Sequence, residues 1–212
     1  MMSRIEVISF DAEGTLVTPD FSHTMWHEAI PAVYAENKRL EITQAKKFIC
    51  VEYDKIGDQK LEWYDINYWF RYLKLGNPET VIQRCLDKLS YYPEVTEVLS
   101  SLSKQYQLIV ASGTPLELLH YLLRDIEPYF SHVFSSTSHY KQLKTPDFYR
   151  GICKEMDIQP GQVIHIGDNW QFDFINPNQV GIKALYLDRS GNNQQESLAN
   201  LTQLKQHLST QP

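Results

Sequence analysis

Four acids in two short polar segments are the residues best suited to do chemistry. Asp11 and Glu13 lie in Asp11-Ala12-Glu13-Gly14-Thr15, and Asp168 and Asp173 lie in and just after Gly167-Asp168-Asn169. Each segment follows directly on a short apolar run, so if those runs are neighbouring strands the acids converge at the strand ends. Carboxylates gathered that closely repel one another by several kcal/mol at an effective dielectric of about 20, and they cannot all stay ionised without compensation. A hard divalent cation that takes oxygen ligands meets the need, with Mg²⁺ the best fit, and it keeps part of its coordination shell for water or substrate oxygens. A third apolar run ends in Ser112-Gly113-Thr114, which supplies a hydroxyl and a glycine whose amide can approach an anion at the start of a helix. Lys144, directly before a helix-start signal at Thr145-Pro146, adds a mobile positive charge. Cation, amide and lysine together describe a cradle for a phosphoryl group.

The elements that must position these residues are legible as an alternation. Residues 5–10, Leu108-Ile109-Val110-Ala111 and Val163-Ile164-His165-Ile166 are short apolar runs, rich in β-branched residues, that end abruptly in polar loops. Lys183-Ala184-Leu185-Tyr186-Leu187 and a weaker run at 132–135 bring the sheet to about five strands. Between them Val95, Val98, Leu99 and Leu102 form an amphipathic helical stripe, and Leu201, Leu204 and Leu208 mark a last helix. Thr114-Pro115-Leu116-Glu117 reads as a capping box that starts a helix immediately after Ser112-Gly113. Strands alternating with helices imply a parallel sheet covered on both faces, a doubly wound α/β core of Rossmann-like type whose site lies at the carboxyl ends of its strands. Residues 17–91 break the alternation with long helical patterns and many aromatics, so they are expected to form an inserted helical domain between core segments 1–16 and 92–212. Following the first strand's loop, that insertion is expected above the site, with most of its rings forming its own small core.

Composition narrows the function classes. The chain has 212 residues, 42% hydrophobic and 22% charged, which suits one folded domain carrying an insertion and excludes a disordered tail, a collagen-like repeat or a coiled coil. Twenty basic against 26 acidic residues leave a net charge of −6, which argues against nucleic acid or an anionic membrane as partner and favours a small soluble ligand. Cys50, Cys85 and Cys153 are odd in number and far apart, matching neither a disulfide framework nor a metal site, and the N-terminal run contains acid and base, unlike a signal peptide. A cytoplasmic protein, monomeric or homodimeric, is expected. His23 and His27 share a helix face, but with no third ligand they read as surface or lid residues.

In this order and on this kind of core, the four segments resemble the motifs of the haloacid dehalogenase (HAD) superfamily of hydrolases. The first motif, Asp-x-Asp-x-Thr-Leu, is matched by Asp11-Ala12-Glu13-Gly14-Thr15-Leu16, the second by Ser112, the third by Lys144 and the fourth by Gly167-Asp168 with Asp173. Lys141 is the alternative lysine, and the position beside the helix start favours Lys144. Tyr91-Tyr92-Pro93-Glu94-Val95 looks like the family's re-entry from cap to core, and the insertion resembles the helical C1 cap of phosphoglycolate-phosphatase-like members and of the dehalogenases. The Asn176-Pro177 stretch departs from the small-residue turn usual after the last motif.

The resemblance implies a Mg²⁺-dependent phosphatase for a small phosphorylated metabolite. Asp11 would be the nucleophile that forms an aspartyl-phosphate. Asp11, the Glu13 backbone carbonyl and Asp168 would bind Mg²⁺, and Asp173 would coordinate it or hold its waters. Thr15, Ser112, Gly113 and Lys144 would bind the substrate, and Lys144 would also hold nucleophile and phosphate together. Glu13 is the departure that matters: family phosphatases usually carry Asp there as general acid and base. The extra methylene can displace the carboxyl by about 1 Å, enough to cost on the order of a hundredfold in rate, so a slow enzyme is expected, or a protein that binds a phosphorylated metabolite or partner without turnover. Family dehalogenases carry a non-acidic residue at that position, so Glu13 favours phosphate over carbon–halogen chemistry. A phosphomutase, the less favoured reading, would need phosphoryl return to a second hydroxyl.

Overall fold

The computed structural model describes residues 4–191 and 197–209. They divide into two units: one joins the chain up to Val17 with the chain from Tyr91 onward, and the other is Thr18–Ser90. Val17 and Tyr91, assigned to the insertion from sequence, belong with the first unit. They pair with each other in an antiparallel bridge, and the Tyr92 N–H donates to the Leu16 carbonyl at 3.1 Å.

The first unit is an α/β sheet of five parallel strands, β1 (Val7–Phe10), β2 (Gln107–Ser112), β3 (His132–Ser135), β4 (Val163–Gly167) and β5 (Lys183–Tyr186), in the order β3-β2-β1-β4-β5. All residues of β1 and β4 are buried, which is why these strands read as unbroken runs rather than alternating ones. From β1 the chain proceeds outward to β2 and β3 on one side, then returns to build β4 and β5 on the other. The reversal falls between β1 and β4, and such a switch point opens a crevice at the carboxyl ends of the two strands. Asp11 follows β1 and Asp168 follows β4.

Helices fix what surrounds that crevice. Val95–Leu102 buries Val95, Val98, Leu99 and Leu102, the stripe expected from their spacing. Pro146–Glu155 starts with Thr145 at its N-cap and Pro146 in its first turn, and it lays Phe148, Tyr149, Ile152 and Cys153 against Val7, Ile109 and Val163 of the sheet. Burying side chains of this size contributes about 1.5–3 kcal/mol each, so this helix is firmly seated and holds Lys144, two residues before its start, in place.

The helix after β2 starts later than the proposed capping box requires. It spans Leu116–Leu123 with Pro115 at the N-cap and no side-chain cap bond of its own. Thr114 is committed elsewhere: its N–H donates to Ser112 Oγ (3.3 Å) and its carbonyl accepts from Ser135 Oγ (2.8 Å). The Leu116 N–H is met instead by Ser138 Oγ at 2.9 Å, a cap supplied from a remote part of the chain.

Thr18–Ser90 is helical, with Asp20–Thr24, a π-helical turn Met25–Ala29, Ile30–Lys38, Ile42–Ile56, Ile66–Leu73 and Glu79–Cys85, and has no strand among the described residues. Its aromatics do form a core of their own. The Tyr53 ring lies 4.6 Å from Trp69 and 5.9 Å from both Trp26 and Trp63, and its hydroxyl donates to the Trp26 carbonyl at 3.2 Å. His23 and His27 are exposed with rings 5.0 Å apart. All three cysteines are free, with Cys85 and Cys153 buried and Cys50 exposed. No helix among the described residues is long and apolar enough to cross a membrane.

Candidate active site

Asp11 is bound to the neighbouring strand through its backbone, its N–H donating to the Ile166 carbonyl at 2.9 Å. The loop that follows turns back on itself, with Leu16 and Val17 N–H groups both donating to the Ala12 carbonyl and Gly14 N–H to the Val17 carbonyl. Gly14 makes the turn at φ +78°, and a Cβ there would lie 2.1 Å from Asp168 Oδ2. Glycine is therefore needed twice, for the left-handed backbone and for the carboxylate that occupies the side-chain space. From outside, Arg189 fastens the same loop: Nη2 donates to the Thr15 carbonyl (2.7 Å), Nε to the Gly14 carbonyl (3.2 Å) and Nη1 to Glu94 (2.8 Å), while the guanidinium stacks 3.4 Å over Tyr92.

One carboxylate oxygen from each of Asp11, Asp168 and Asp173 lies within 4.8 Å of the others, and this is the one such group of potential metal ligands found among the described residues. Asp11 and Asp173 are buried and Asp168 is the exposed member. Lys144 enters the cluster from the start of helix Pro146–Glu155. It is buried, and its Nζ donates to Asp11 Oδ1 (2.8 Å) and to Asp173 Oδ1. Lys141 is exposed on a left-handed backbone turn. Of the two lysines, Lys144 is the one that reaches the acids.

Asn176, unexplained at the level of sequence, holds that lysine in place. It is buried, its Nδ2 donates to the Lys144 carbonyl at 2.7 Å, and its Oδ1 accepts from Gln171. Asp173 sits on a π-helical turn, Trp170–Ile175, with its Oδ2 accepting the Asn169 N–H at 3.0 Å. Its side chain packs over Gly167, where a Cβ would come within 2.3 Å of the carboxyl carbon.

The remaining sequence candidates are placed as follows. Ser112 ends β2, buried, and Gly113 lies beneath the methylenes of Lys144, where a Cβ would meet only ordinary contacts of 3.7 Å and longer. Packing within the protein thus leaves room for a side chain at 113. Thr15 is fully buried with its Oγ1 lacking a hydrogen-bond partner among the described residues. Glu13 is half-buried and its backbone bridges to Val17; its carboxylate is not part of the three-acid group.

Electrostatics divide the three acids. Burial pushes Asp173 up, but the adjacent Lys144 charge and the hydrogen bond from His165 outweigh it and hold the carboxyl far below its ordinary range. Asp11 is raised, by burial first and by the Asp173 charge, with Lys144 opposing. Asp168, exposed as a residue but with its carboxyl packed against Gly14, is pushed up to about 7 by burial of that carboxyl and by the charges of Asp11 and Asp173. Lys144, although buried, is held well above its ordinary value by Asp11 and Asp173. A single lysine thus leaves the cluster short of positive charge, and its all-carboxylate donor set suits a hard divalent cation with oxygen coordination.

A family model for haloacid dehalogenase-like hydrolases matches residues 5–175. The chain belongs to this family. Among solved structures, the HAD hydrolase fold recurs in a HAD phosphatase from Thermococcus onnurineus (20% identity, 96% of this chain and 98% of that one, TM-score 0.85). It recurs in a 2-haloacid dehalogenase from Pseudomonas syringae pv. Tomato DC3000 (16%, 97% and 98%, 0.67) and a predicted phosphoglycolate phosphatase from Haemophilus somnus 129pt (19%, 88% and 87%, 0.61). No curated protein matches the chain. At these identities the likeness is one of fold, and it spans both phosphatases and dehalogenases, so the chemistry of this HAD hydrolase must be argued from its own residues.

Sequence reasoning overlooked Arg189, His165 and Tyr149. Arg189 follows β5 and acts on a loop 174 residues earlier, so no local pattern marks it. His165 had a signal available, a titratable residue in the middle of a buried apolar strand.

Proposed function

We propose that this HAD hydrolase is a Mg²⁺-dependent phosphatase that cleaves a small phosphomonoester through an aspartyl-phosphate on Asp11. The observation that carries the reading is Lys144 bridging Asp11 and Asp173 beside Asp168. Lys144 opposes the upward push of burial on the Asp11 carboxyl while leaving the acid group one cation short. Mg²⁺ held by Asp11, Asp168 and the Glu13 carbonyl would neutralise charge on the phosphoryl oxygens during transfer. An Asp11 carboxylate oxygen attacks phosphorus as the bond to the departing alkoxide breaks, and Glu13 supplies the alcohol's proton. Water, its proton taken by Glu13, then cleaves the acyl phosphate, releasing inorganic phosphate and restoring Asp11. Ser112 and the Gly113 amide receive phosphoryl oxygens, and Lys144 steadies Asp11 through both steps.

Release of inorganic phosphate from p-nitrophenyl phosphate, with and without Mg²⁺, tests this directly. Metal-dependent turnover that Asp11→Asn abolishes is the expected result; metal-independent halide release from a 2-haloacid with no phosphate release would overturn it. Glu13, one methylene longer than the Asp usual in family phosphatases, favours a second reading in which the protein binds a phosphorylated metabolite with little or no turnover. Saturable phosphate-ester binding in the absence of phosphate release would establish that alternative.

A further inference from the structure

His165 lies in the middle of β4 with no exposed surface, on the sheet face where Val7, Ile109, Val163 and Phe148 pack. An apolar residue would fill this place without the cost of burying polar atoms, and a buried polar network is worth having only when every member is satisfied. Here every member is. His165 Nδ1 lies 2.8 Å from Ser9 Oγ on the adjacent strand, and Nε2 lies 3.0 Å from Asp173 Oδ1 and 3.1 Å from the Tyr149 hydroxyl.

The network decides the tautomer. Tyr149 spends its only proton on the Phe172 carbonyl at 2.8 Å, so toward His165 it accepts. The Asp173 carboxylate accepts as well. Both groups facing Nε2 are acceptors, so Nε2 carries the proton, shared between them, and Nδ1 accepts from the Ser9 hydroxyl. The imidazole is thereby held with a donor aimed at Asp173.

We propose that His165 is a positioning residue that, with its proton kept on Nε2 by Ser9, fixes the Asp173 carboxylate and so sets Lys144 against Asp11. Asp173 Oδ1 receives both His165 and Lys144, while Oδ2 is taken by the Asn169 N–H and the side chain presses on Gly167. His165 is thus the restraint on the very oxygen that anchors the lysine, with Asn169 and Gly167 holding the other side of the carboxylate. The chain of contacts runs Ser9 to His165 to Asp173 to Lys144 to Asp11, from the sheet interior to the nucleophile. Groups that orient metal-binding carboxylates from behind in this way usually change metal affinity or activity by about 10–100-fold when removed. The inference rests on the phosphatase reading only for its kinetic consequence.

The test compares His165→Leu, which keeps bulk and loses the donor, with His165→Gln, whose amide N–H can reach the position of Nε2. For His165→Leu we expect Mg²⁺ affinity, measured calorimetrically, and kcat to fall about 10–100-fold while KM for p-nitrophenyl phosphate changes by less than about threefold. His165→Gln should recover most of that loss. Equal losses in the two variants, or no loss in either, would overturn the proposal. Should His165→Leu fail to fold, Ser9→Ala takes its place: freeing the tautomer should cost about 3–10-fold in Mg²⁺ affinity, and wild-type affinity there would count against the relay. Imidazole ¹⁵N shifts of the wild-type protein give a readout independent of turnover. They should report a proton on Nε2, and a proton on Nδ1 alone would refute the arrangement. A wild-type protein without phosphate release would sink the phosphatase reading, leaving the ¹⁵N and calorimetric results to judge His165.

Discussion

Replacing Lys144 by Met removes the one cation from a group of three carboxylates while keeping most of the side chain's length. Lys144 is 5% exposed, Asp173 1% and Asp11 8%, so none of the three is relieved by water. At an effective dielectric near 20, contacts of about 3–4 Å are each worth roughly 4–6 kcal/mol of attraction, and the relief of no longer burying the ammonium offsets part of it. Breaking a buried pair while leaving its carboxylates behind costs about 3–5 kcal/mol net. With a urea slope of about 2–3 kcal/mol per M for a chain of this size, the denaturation midpoint should fall by roughly 1–2.5 M in metal-free buffer at pH 7.5. The deficit should also depend on protons and metal. In the native protein Asp173 is held below its unfolded value, so its stabilisation is complete above about pH 4 and is lost as pH falls further, while Lys144, raised well above its ordinary value, stays charged throughout the neutral range. Without the lysine that depression disappears and Asp11, already raised, rises further. Protonation then relieves both acids, so the deficit shrinks between pH 7.5 and pH 5, and millimolar Mg²⁺ narrows it as well. An unchanged midpoint, or a deficit indifferent to both pH and Mg²⁺, would refute the charge balance described for this cluster.

Three further outcomes follow from the same geometry. Asp168, pushed up to about 7, must shed a proton before it can hold a cation, so Mg²⁺ affinity in calorimetry should weaken roughly tenfold per pH unit below that value and level off above it. A flat profile from pH 5.5 to 8 would contradict the assignment, and Asp168→Asn should abolish the slope. Gly14→Ala places a methyl 2.1 Å from Asp168 Oδ2 on a backbone at φ +78°, whereas Gly57→Ala meets a similar φ of +75° with nothing within 4 Å. Both should lose about 1–2 kcal/mol of stability from backbone strain, but only Gly14→Ala should lose Mg²⁺ affinity, by about tenfold or more. Glu13→Asp shortens the proposed acid–base residue to the length usual in family phosphatases and should raise kcat by about 10–100-fold; a decrease would mean that the loop is built for Glu.

The strands were readable because a parallel sheet buries both faces: Val7–Phe10 and Val163–Gly167 have no exposed residue to break the run, and each ends where an acid could not stay buried unpaired. The start of the helix at Pro146–Glu155 was equally plain from Thr145-Pro146. The start of Leu116–Leu123 was misread because Thr114 could cap it only if its backbone were free, and partners from the β3 end of the chain decide otherwise.

The sequence by itself determined the order of the strands along the chain, the polar loops that end them, the helical character of the insertion and the residue types able to gather round a cation, since these depend on neighbours a few positions apart. Tertiary structure alone decided that Lys144 rather than Lys141 reaches Asp11 across 133 positions, that Asn176 holds the lysine's carbonyl, that Arg189 ties down the Gly14 turn, and that His165 faces Asp173 with Ser9 behind it. Periodicity and turn chemistry report the local backbone. Which hydrogen-bonding group answers a buried charge depends on how remote segments pack, and that is settled only when the sheet closes.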